Sequence, residues 1–353
     1  MDYQYTLQLH SGTFQKSNYS WEEIKTKCDQ ILTHIQVKQM IIGWNTDTEL
    51  NQKILDYFHE KDIRVLLWFP LLLQENDERE LKKMEGYHGN SFDFCCPTHL
   101  HNAHACIALY EKYFAKLPFD GIFLDKIRYA SFSQGYEAGF GCFCEECMKQ
   151  MHSVDIDAVK ALIDTHDIRL LRGEYDRCGR YHFADSQVNA FYKRRSQLIS
   201  DLVFKLAAYF NSRKLIVGVD LFAPILAYHV GQNIKEIAKY VDFIKPMMYT
   251  HTNAPAAIPY EYNVYLRNFE SSEAFSKHFP GGPLSSESLR YQMDFIKNVP
   301  ATVIPGIEIN PISGVCDTNA EAVQKHLHIF REFKNIALCW DVMRMDDEIL
   351  AVL

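Results

Sequence analysis

The chain lacks a hydrophobic segment long enough to cross a bilayer. Its longest apolar stretch, Val65–Leu73, covers about nine residues and contains Pro70, whereas a spanning helix needs roughly 20 residues. The N-terminus carries Asp2 and no apolar core of signal-peptide length, so we do not expect secretion by that route. These absences predict a cytoplasmic protein without a membrane partner.

Basic segments are scarce as well. The chain has 37 lysines and arginines against 45 acidic residues, and it has no long lysine- or arginine-rich run. We therefore expect no nucleic-acid partner, because that function needs a basic surface. Internal repeats and low-complexity segments are also lacking, and an apolar fraction of 47% is typical of a soluble globular protein. The oligomeric state stays open.

Strands and helices alternate along the chain. A capping box at Ser20 and Glu23 begins the first helix. The predicted strands are Tyr5–Leu9, Gln39–Trp44, Ile63–Phe69, Gly121–Asp125, Leu215–Asp220, Asp242–Tyr249, Thr302–Glu308 and Asn335–Asp341. Eight strands, each but the last followed by a helix, predict an α/β fold of the (β/α)8 TIM-barrel type. A doubly wound open sheet is the alternative, but no Gly-rich dinucleotide fingerprint follows the first strand.

Two loops are longer than such units require. We predict a single barrel over residues 1–353, with an insertion after strand 4 at residues 129–186 that forms a lid or a small subdomain. The other long loop follows strand 6, at residues 250–284. Long loops at the catalytic rim of a barrel shape substrate clefts.

The segment FDGIFLDKIRY is the most informative stretch of the chain. Gly121–Leu124 has the apolar character of a buried parallel strand, and Asp125 follows it directly, with Lys126 and Arg128 close behind. A buried strand accommodates an aspartate only where it leaves the core. Asp125 is therefore predicted at the carboxyl end of a barrel strand, where such folds carry out chemistry.

Acids recur at other strand ends. Asp220, Glu308 and Asp341 close the fifth, seventh and eighth strands, while Lys245 and Tyr249 lie on the sixth. One aspartate after a strand is more often a helix cap or a turn former. Four acids at four apolar strand ends are harder to explain in that way, so we expect at least two of them to line an active site.

Paired carboxylates suit the cleavage of glycosidic bonds. One carboxylic acid protonates the leaving oxygen, and the other acts as a nucleophile or as a base for water. We assign Asp125 as nucleophile or stabilising carboxylate and leave the proton donor open between Glu308 and Asp220. Arg128 and Lys245 would tune the charge, although Arg128 alternatively forms a salt bridge that fixes its loop.

Aromatic residues and one histidine are predicted near the same rim. Sugar rings have apolar faces that stack on aromatic side chains, and the residues in question are Trp44, Trp68, Trp340, Tyr249 and His10. With Arg128, Lys245 and Asp341, they form the predicted substrate-binding set. The alternative is that most of the aromatic residues pack in the core or the cleft wall.

Several segments resemble an uncharacterised group of glycoside-hydrolase-like (β/α)8 proteins. They are FDGIFLDKIRYAS, VGVDLFAPILAYHVGQ, VDFIKPMMYTHT and PAAIPYEY, the first matching a recurring DGI-x-LD-x-IRY strand. The resemblance covers about the third to the eighth strand. It implies that Asp125 and Arg128 are active-site residues with Asp220, Lys245 and Tyr249 as neighbours. An α-amylase-like layout, with an aspartate nucleophile on strand 4, would place the acid at Asp220.

A cysteine cluster lies in the insertion. Cys142, Cys144 and Cys147 form a C-x-C-x-x-C run, and the same pattern recurs in the group that the chain resembles. Thiolates so spaced are typical zinc ligands, so we consider a structural zinc site, with three thiols packing a loop as the alternative. The fourth ligand is open among Cys178, His182, Cys95 and Cys96. No cofactor is expected to be needed for catalysis.

Together these observations predict a glycosidase, an O-glycosyl hydrolase of carbohydrate metabolism. Two other functions stay open. A non-catalytic carbohydrate-binding barrel would keep the aromatic residues but lack two carboxylates at a workable separation. A metal-dependent sugar lyase or isomerase would need two or three acids and a histidine around one ion, and the predicted rim offers few histidines.

Overall fold

A computed structural model describes residues 3–13, 16–43, 45–74, 77–269 and 273–353. The predicted (β/α)8 barrel is confirmed, with every neighbouring pair of its strands parallel. Its strands are β1 (Gln4–His10), β2 (Val37–Gly43), β3 (Arg64–Pro70), β4 (Gly121–Asp125), β5 (Ile216–Leu221), β6 (Phe243–Pro246), β7 (Thr302–Val303 with Gly306–Glu308) and β8 (Asn335–Cys339).

The barrel closes through β7, which is broken in two. Thr302–Val303 pairs with β6, whereas Gly306–Glu308 pairs with β8. Pro305 lies between the two halves and accepts a hydrogen bond from the Ala337 backbone N–H. A proline has no N–H to donate, so it interrupts a strand that neighbours on both sides would otherwise pair. Among the described residues, the sheet thus begins and ends on one segment, which closes the barrel.

Two glycines on the barrel strands leave space for neighbouring aromatic side chains. The rings of Phe123 and Phe243 stack with centroids 5.8 Å apart, and Gly218 lies between them in register. A Cβ atom at Gly218 would lie 2.0 Å from the Phe243 ring. Similarly, a Cβ at Gly43 would lie 2.4 Å from the Cβ of Trp68. A side chain at either position would therefore force its neighbours to shift.

Helices follow the strands on the outside of the barrel. They are α1 (Trp21–Leu32), α2 (Thr48–His59), α3 (Leu100–Tyr113), α4 (Ser186–Ser212), α5 (Ile234–Ile237), α6 (Ser286–Asp294), α7 (Ala320–Ile329) and α8 (Asp347–Leu350). The capping box of Ser20 and Glu23 is confirmed at the start of α1. None of the helices in the described part of the chain has the length and apolar character of a membrane span.

Three predicted boundaries need correction. The predicted sixth strand, Asp242–Tyr249, is observed only as Phe243–Pro246. At its start, the Asp242 carboxylate accepts a hydrogen bond from the Val217 N–H. The segment between β3 and α3 contains a hairpin of Lys83–Glu85 and Ser91–Cys95 that was not predicted. The long loop after β6 contains the helices Ile258–Asn268 and Glu273–Ser276.

The insertion at residues 129–186 has its own short elements. They are Phe132–Gln134, Tyr136–Phe140, Glu145–Gln150, Ile156–Asp164 and Ile168–Leu170, followed by a hairpin of Gly173–Tyr175 and Tyr181–Phe183. Arg195 on α4 is fully buried beneath them and donates hydrogen bonds to the carbonyls of Gly139 and Gly141 at 3.0 Å. A buried guanidinium that satisfies carbonyls in this way ties the insertion to the barrel.

Candidate active site

A cleft of about 800 Å³ opens at the carboxyl ends of the barrel strands. This size falls within the range of small-molecule sites. Seven of the predicted site residues line it, namely His10, Trp68, Asp125, Arg128, Asp220, Tyr249 and Trp340. They come from β1, β3, β4, β5 and the segments after β4, β6 and β8, so the fold brings distant parts of the sequence to one place.

Asp125 is held at the end of β4 by two donors. Its Oδ2 atom accepts a hydrogen bond from Trp68 Nε1 at 2.9 Å, and its Oδ1 atom accepts one from the Lys126 N–H at 2.5 Å. Lys126 has a φ of 55°, a left-handed conformation that is uncommon outside glycine. Two donors fix the carboxylate orientation, and the turn at Lys126 leaves the group facing the cleft.

Asp220 and Lys245 form a buried ion pair on neighbouring strands. Their side chains are 4% and 0% exposed, and Lys245 Nζ lies 3.1 Å from Asp220 Oδ2. Burial raises the pKa of Asp220 to about 7; Lys245 opposes this shift, and the charge of Asp125 adds to it. Asp220 therefore takes up a proton near neutral pH, as a general acid must.

Lys245 lies behind this acid, inside the barrel. It donates a hydrogen bond to the hydroxyl of Tyr249 at 3.0 Å and lies 3.5 Å from Cys339 Sγ. Burial lowers the pKa of Lys245, but Asp220 and Cys339 outweigh that effect, and the net pKa is raised. Lys245 is thus a buried cation that reaches the cleft only through Asp220 and Tyr249, which both line it.

Arg128 lies between two aromatic rings. Its guanidinium carbon is 4.5 Å from the Phe94 ring centre and 4.3 Å from that of Phe222, and one N–H donates to the Tyr129 carbonyl. Burial lowers the pKa of Arg128 to about 10, so the side chain stays cationic at neutral pH. Among the described residues no carboxylate lies within ion-pair distance of it, so the predicted alternative of a salt bridge is wrong.

Aromatic side chains form the cleft wall. Tyr249 and Trp340 are tilted against each other with ring centres 6.2 Å apart, and His10 meets Trp68 edge-on at 6.0 Å. Burial lowers the pKa of His10, which favours the neutral imidazole. Trp44, also predicted for substrate contact, lies outside the described residues.

Glu308 does not lie among the residues that line this cleft. Its side chain is fully buried, and its Oε1 atom accepts hydrogen bonds from the backbone N–H groups of His251 and Thr252 at 2.7 and 3.1 Å. Thr252 itself lines the cleft, so Glu308 lies behind the wall. Burial raises the pKa of Glu308 to about 7. Its hydrogen bonds nevertheless connect it to the loop after β6 and not to the cleft.

Asp341 also lies away from the cleft lining. Its Oδ2 atom accepts a hydrogen bond from the Tyr19 hydroxyl at 2.7 Å, and its Oδ1 atom accepts the Met343 N–H at the start of the short helix Val342–Arg344. Burial raises the pKa of Asp341. These contacts are those of a helix cap, the role that an acid after a strand most often has.

Three potential metal ligands meet near Glu308. His251, Glu308 and His326 each place one ligand atom within 4.8 Å of the others. Burial lowers the pKa of His326 to about 3, so its ring is neutral. His251 lines a smaller cavity of about 360 Å³, whereas Glu308 and His326 are 0% and 2% exposed. The group therefore lies apart from the main cleft.

Parts of the cleft wall were missed by sequence reasoning. The residues are Ser91–Phe94 of the hairpin, Phe222 after β5, and Ala254–Ala256 in the loop after β6. The alternation of Phe92 and Phe94 in SFDFC is a weak strand signal that could have identified the hairpin. No local pattern indicates that this hairpin reaches the rim.

The predicted cysteine cluster acquires a fourth member. Cys96, Cys142, Cys144 and Cys147 are all buried, and their four sulfur atoms lie within 4.8 Å of one another. Of the four predicted candidates for the fourth position, Cys96 is the one found there. Cys178 instead accepts a contact from Lys235 Nζ, and His182 pairs with Asp176.

Comparison with known proteins identifies the fold. No protein-family model matches the chain, and no curated protein matches its sequence. A solved class V chitinase from Pseudomonas fluorescens is 10% identical, with a TM-score of 0.51 and coverage of 99% of this chain and 98% of that one. At this identity the likeness shows a shared barrel fold and no more.

Two further solved structures resemble the chain more weakly. A chitinase from Chromobacterium violaceum is 10% identical, with a TM-score of 0.46 and coverage of 98% and 96% of the two chains. The spore cortex-lytic enzyme SleL of Bacillus megaterium is 8% identical, with a TM-score of 0.49 and coverage of 99% of this chain and 73% of that one.

Proposed function

We propose that this protein is a glycoside hydrolase that acts through Asp125 and Asp220. One observation carries the proposal: two carboxylates at the ends of neighbouring strands line the same aromatic-walled cleft. Fold analogy adds support, because a chitinase has the same type of barrel. Analogy of this kind does not determine chemistry, so the proposal depends on the site.

The two acids have different surroundings, which suits different roles. Asp220 is nearly inaccessible to solvent and its pKa is raised to about 7 by burial, so it is proposed as the proton donor to the leaving oxygen. Asp125 accepts hydrogen bonds from Trp68 and the Lys126 N–H, which hold its side chain towards the cleft. Asp125 is proposed as the nucleophile or as the base that activates water.

The strand register favours a short separation between these acids. Val219 pairs with Leu124, so Asp220 and Asp125 occupy the next position in register on adjacent parallel strands. Such positions are about 4.8 Å apart across a sheet. Retaining glycosidases hold their carboxyl groups about 5–5.5 Å apart, whereas inverting ones need about 6.5–9.5 Å. Carboxyl groups that kept this backbone spacing would correspond to the retaining geometry, and the stereochemistry of the product would test it.

The remaining cleft residues are proposed to hold the sugar. Tyr249 and Trp340 offer faces on which a pyranose ring can stack, and Arg128 offers a fixed cation for hydroxyl or acyl oxygens. Lys245 keeps a positive charge behind Asp220 and so limits how far the pKa of that acid rises. A carbohydrate is accordingly the proposed substrate.

The metal-dependent lyase or isomerase has weaker support. The group of His251, Glu308 and His326 has the composition of a metal site, but two of its members are buried behind the cleft wall. A reaction there would have to use the smaller cavity beside His251, which contains neither of the paired acids. The proposed hydrolase involves more of the residues that line the main cleft than the metal-dependent alternative does.

The test is hydrolysis of a panel of chromogenic α- and β-glycosides, including N-acetylglucosaminides. The wild-type protein is compared with Asp125→Asn and with Asp294→Asn, which alters an exposed carboxylate paired with Lys297. We expect turnover of one sugar class that falls about 100-fold or more in Asp125→Asn and is unchanged in Asp294→Asn. Sugar binding without turnover would instead establish the carbohydrate-binding barrel, and full activity of Asp125→Asn would refute the assignment.

A further inference from the structure

We propose that Cys96, Cys142, Cys144 and Cys147 bind one zinc ion that holds the hairpin wall of the cleft. The inference is independent of the proposed hydrolase, because it concerns four thiols that do not line the cleft. All four are buried, with exposures between 0% and 4%. They come from two segments separated by 45 residues of chain, so their convergence is a property of the tertiary fold.

The sulfur spacing fits a tetrahedral ion. Cys96 Sγ lies 3.5 Å from Cys144 Sγ and 3.4 Å from Cys147 Sγ, and all four atoms lie within 4.8 Å of one another. Zinc–sulfur bonds of about 2.3 Å in a tetrahedron place sulfur atoms roughly 3.8 Å apart. A disulfide needs about 2.05 Å, well below these separations. An iron–sulfur cluster would hold the sulfurs further apart, because its own atoms fill the space between them.

The surroundings of the sulfurs suit thiolates. The backbone N–H groups of Glu85 and Cys144 point to Cys142 Sγ at 3.3 and 3.5 Å, and the Thr98 hydroxyl lies 3.0 and 3.1 Å from the sulfurs of Cys96 and Cys147. Donors around a ligand atom orient it and stabilise its negative charge. Four thiolates complete a closed coordination shell, which is the arrangement of structural zinc sites.

The ion would join the cleft wall to the insertion. Cys96 directly follows the hairpin strand Ser91–Cys95, and residues 91–94 line the cleft. Phe94 in that strand packs against the guanidinium of Arg128. The other three ligands lie around the start of the helix Glu145–Gln150. Zinc would thus fix the position of Phe94 and, through it, that of Arg128.

The first experiment uses the wild-type protein, so it does not depend on a variant that folds. Protein purified without chelators is analysed by mass spectrometry for zinc and iron, and then titrated with a mercurial thiol reagent while released metal is measured. We expect one zinc per chain, released as the thiols react. Protein with less than about a tenth of a zinc per chain, or with iron in its place, would overturn the proposal.

Variants then identify the ligands. Cys96→Ser and Cys147→Ser should lose most of the bound zinc, whereas Cys178→Ser, a half-buried cysteine of the same insertion, should keep it. Replacement of zinc by Co²⁺ should give the sulfur-to-metal charge-transfer and visible bands of a tetrahedral thiolate site. Full zinc occupancy in Cys96→Ser, or a spectrum without thiolate bands, would contradict the assigned ligands.

Hydrogen exchange tests the role of the ion. After chelation, the backbone amides of residues 83–95 should exchange faster, while those of β4 and β5 stay protected, because the barrel does not depend on the four cysteines. Unchanged exchange at residues 83–95 would disprove that zinc holds the wall. Neither result depends on glycosidase activity, so a failure of this proposal and a failure of the hydrolase proposal are distinguishable.

Discussion

Lys245 places its ammonium group 3.1 Å from Asp220, and neither side chain is more than 4% exposed. Breaking a buried pair by removing one partner leaves a charge without compensation. Asp220 avoids much of that cost by taking up a proton, since burial has already raised its pKa to about 7. The pair therefore couples the protonation of a cleft acid to a buried cation that does not line the cleft.

Replacing Lys245 by Met should shift the pH profile of hydrolysis. A general acid must be protonated, so kcat/KM should fall as the pH rises through the pKa of Asp220, about 7. Lys245 lowers that pKa, and its removal should move the alkaline limb to higher pH. The exposed Lys297→Met serves as the control and should leave the limb in place. A limb that is unmoved in Lys245→Met would show that Asp220 does not set it.

Asp220→Asn should reveal its role through the leaving group. Substrates with alcohol leaving groups need protonation, and their kcat/KM should fall by about 10²- to 10⁴-fold. Aryl glycosides with acidic phenols leave without much proton transfer and should be affected far less. Asp125→Asn should impair both substrate types. Equal losses for both types in Asp220→Asn would speak against a proton donor at this position.

Glu308→Gln should alter stability and leave catalysis nearly unchanged. The amide oxygen can still accept the His251 and Thr252 N–H groups, so we expect kcat within about threefold of the wild-type value. The pKa of Glu308 is about 7 in the folded protein and about 4 in the unfolded chain. The free energy of unfolding of the wild type should therefore fall as the pH rises from about 4 to about 7, and that of the variant should fall less.

Urea unfolding at pH 4, 5.5 and 7 measures this effect. The free energies of unfolding of wild type and Glu308→Gln should diverge as the pH rises, in favour of the variant. If Glu308→Gln lowered kcat by about 100-fold and left the pH dependence of stability unchanged, Glu308 would be a catalytic residue.

Gly218→Ala should destabilise the barrel. The new Cβ would lie 2.0 Å from the Phe243 ring, and a shift of this ring would disturb its stacking on Phe123. Overpacking of this kind costs about 1–3 kcal/mol in the free energy of unfolding. Urea denaturation measures the change, and the double variant Gly218→Ala/Phe243→Leu should recover part of the loss. A single variant as stable as the wild type would mean that the interior can repack.

Much of the fold could be predicted from the sequence because its strands are short apolar runs that end in polar residues. Asp125 and Asp220 were placed correctly at strand ends on the pattern of a buried strand alone. The break at Pro305 was not foreseen, since a proline in a predicted strand does not reveal that neighbours on two sides divide it. The length of β6 was overestimated because the apolar run continues past Pro246 through Met247 and Met248, although the strand ends at Pro246.

The site was harder to predict because the direction of a side chain depends on its neighbours. Glu308 ends an apolar strand much as Asp220 does. However, N–H groups of the loop after β6 hydrogen-bond to the Glu308 carboxylate and hold it behind the cleft wall. The hydroxyl of Tyr19, which is far away in sequence, likewise donates a hydrogen bond to Asp341 and holds it away from the cleft. Cys96 was one of four candidates for the last position of the cysteine cluster, and only the path of the hairpin distinguishes them.

In the proposed hydrolase, the hairpin of Lys83–Glu85 and Ser91–Cys95 contributes to the shape of the cleft but carries neither of the two proposed catalytic acids. Asp125 and Asp220 belong to the closed barrel, whereas residues 91–94 belong to a projection that the barrel does not need for closure. In the proposed hydrolase, changes at residues 91–93 would alter the shape of the cleft while the barrel strands that carry the two acids stay in place. Such changes would have to keep Phe94, which packs against Arg128, and Cys96, which belongs to the proposed zinc site.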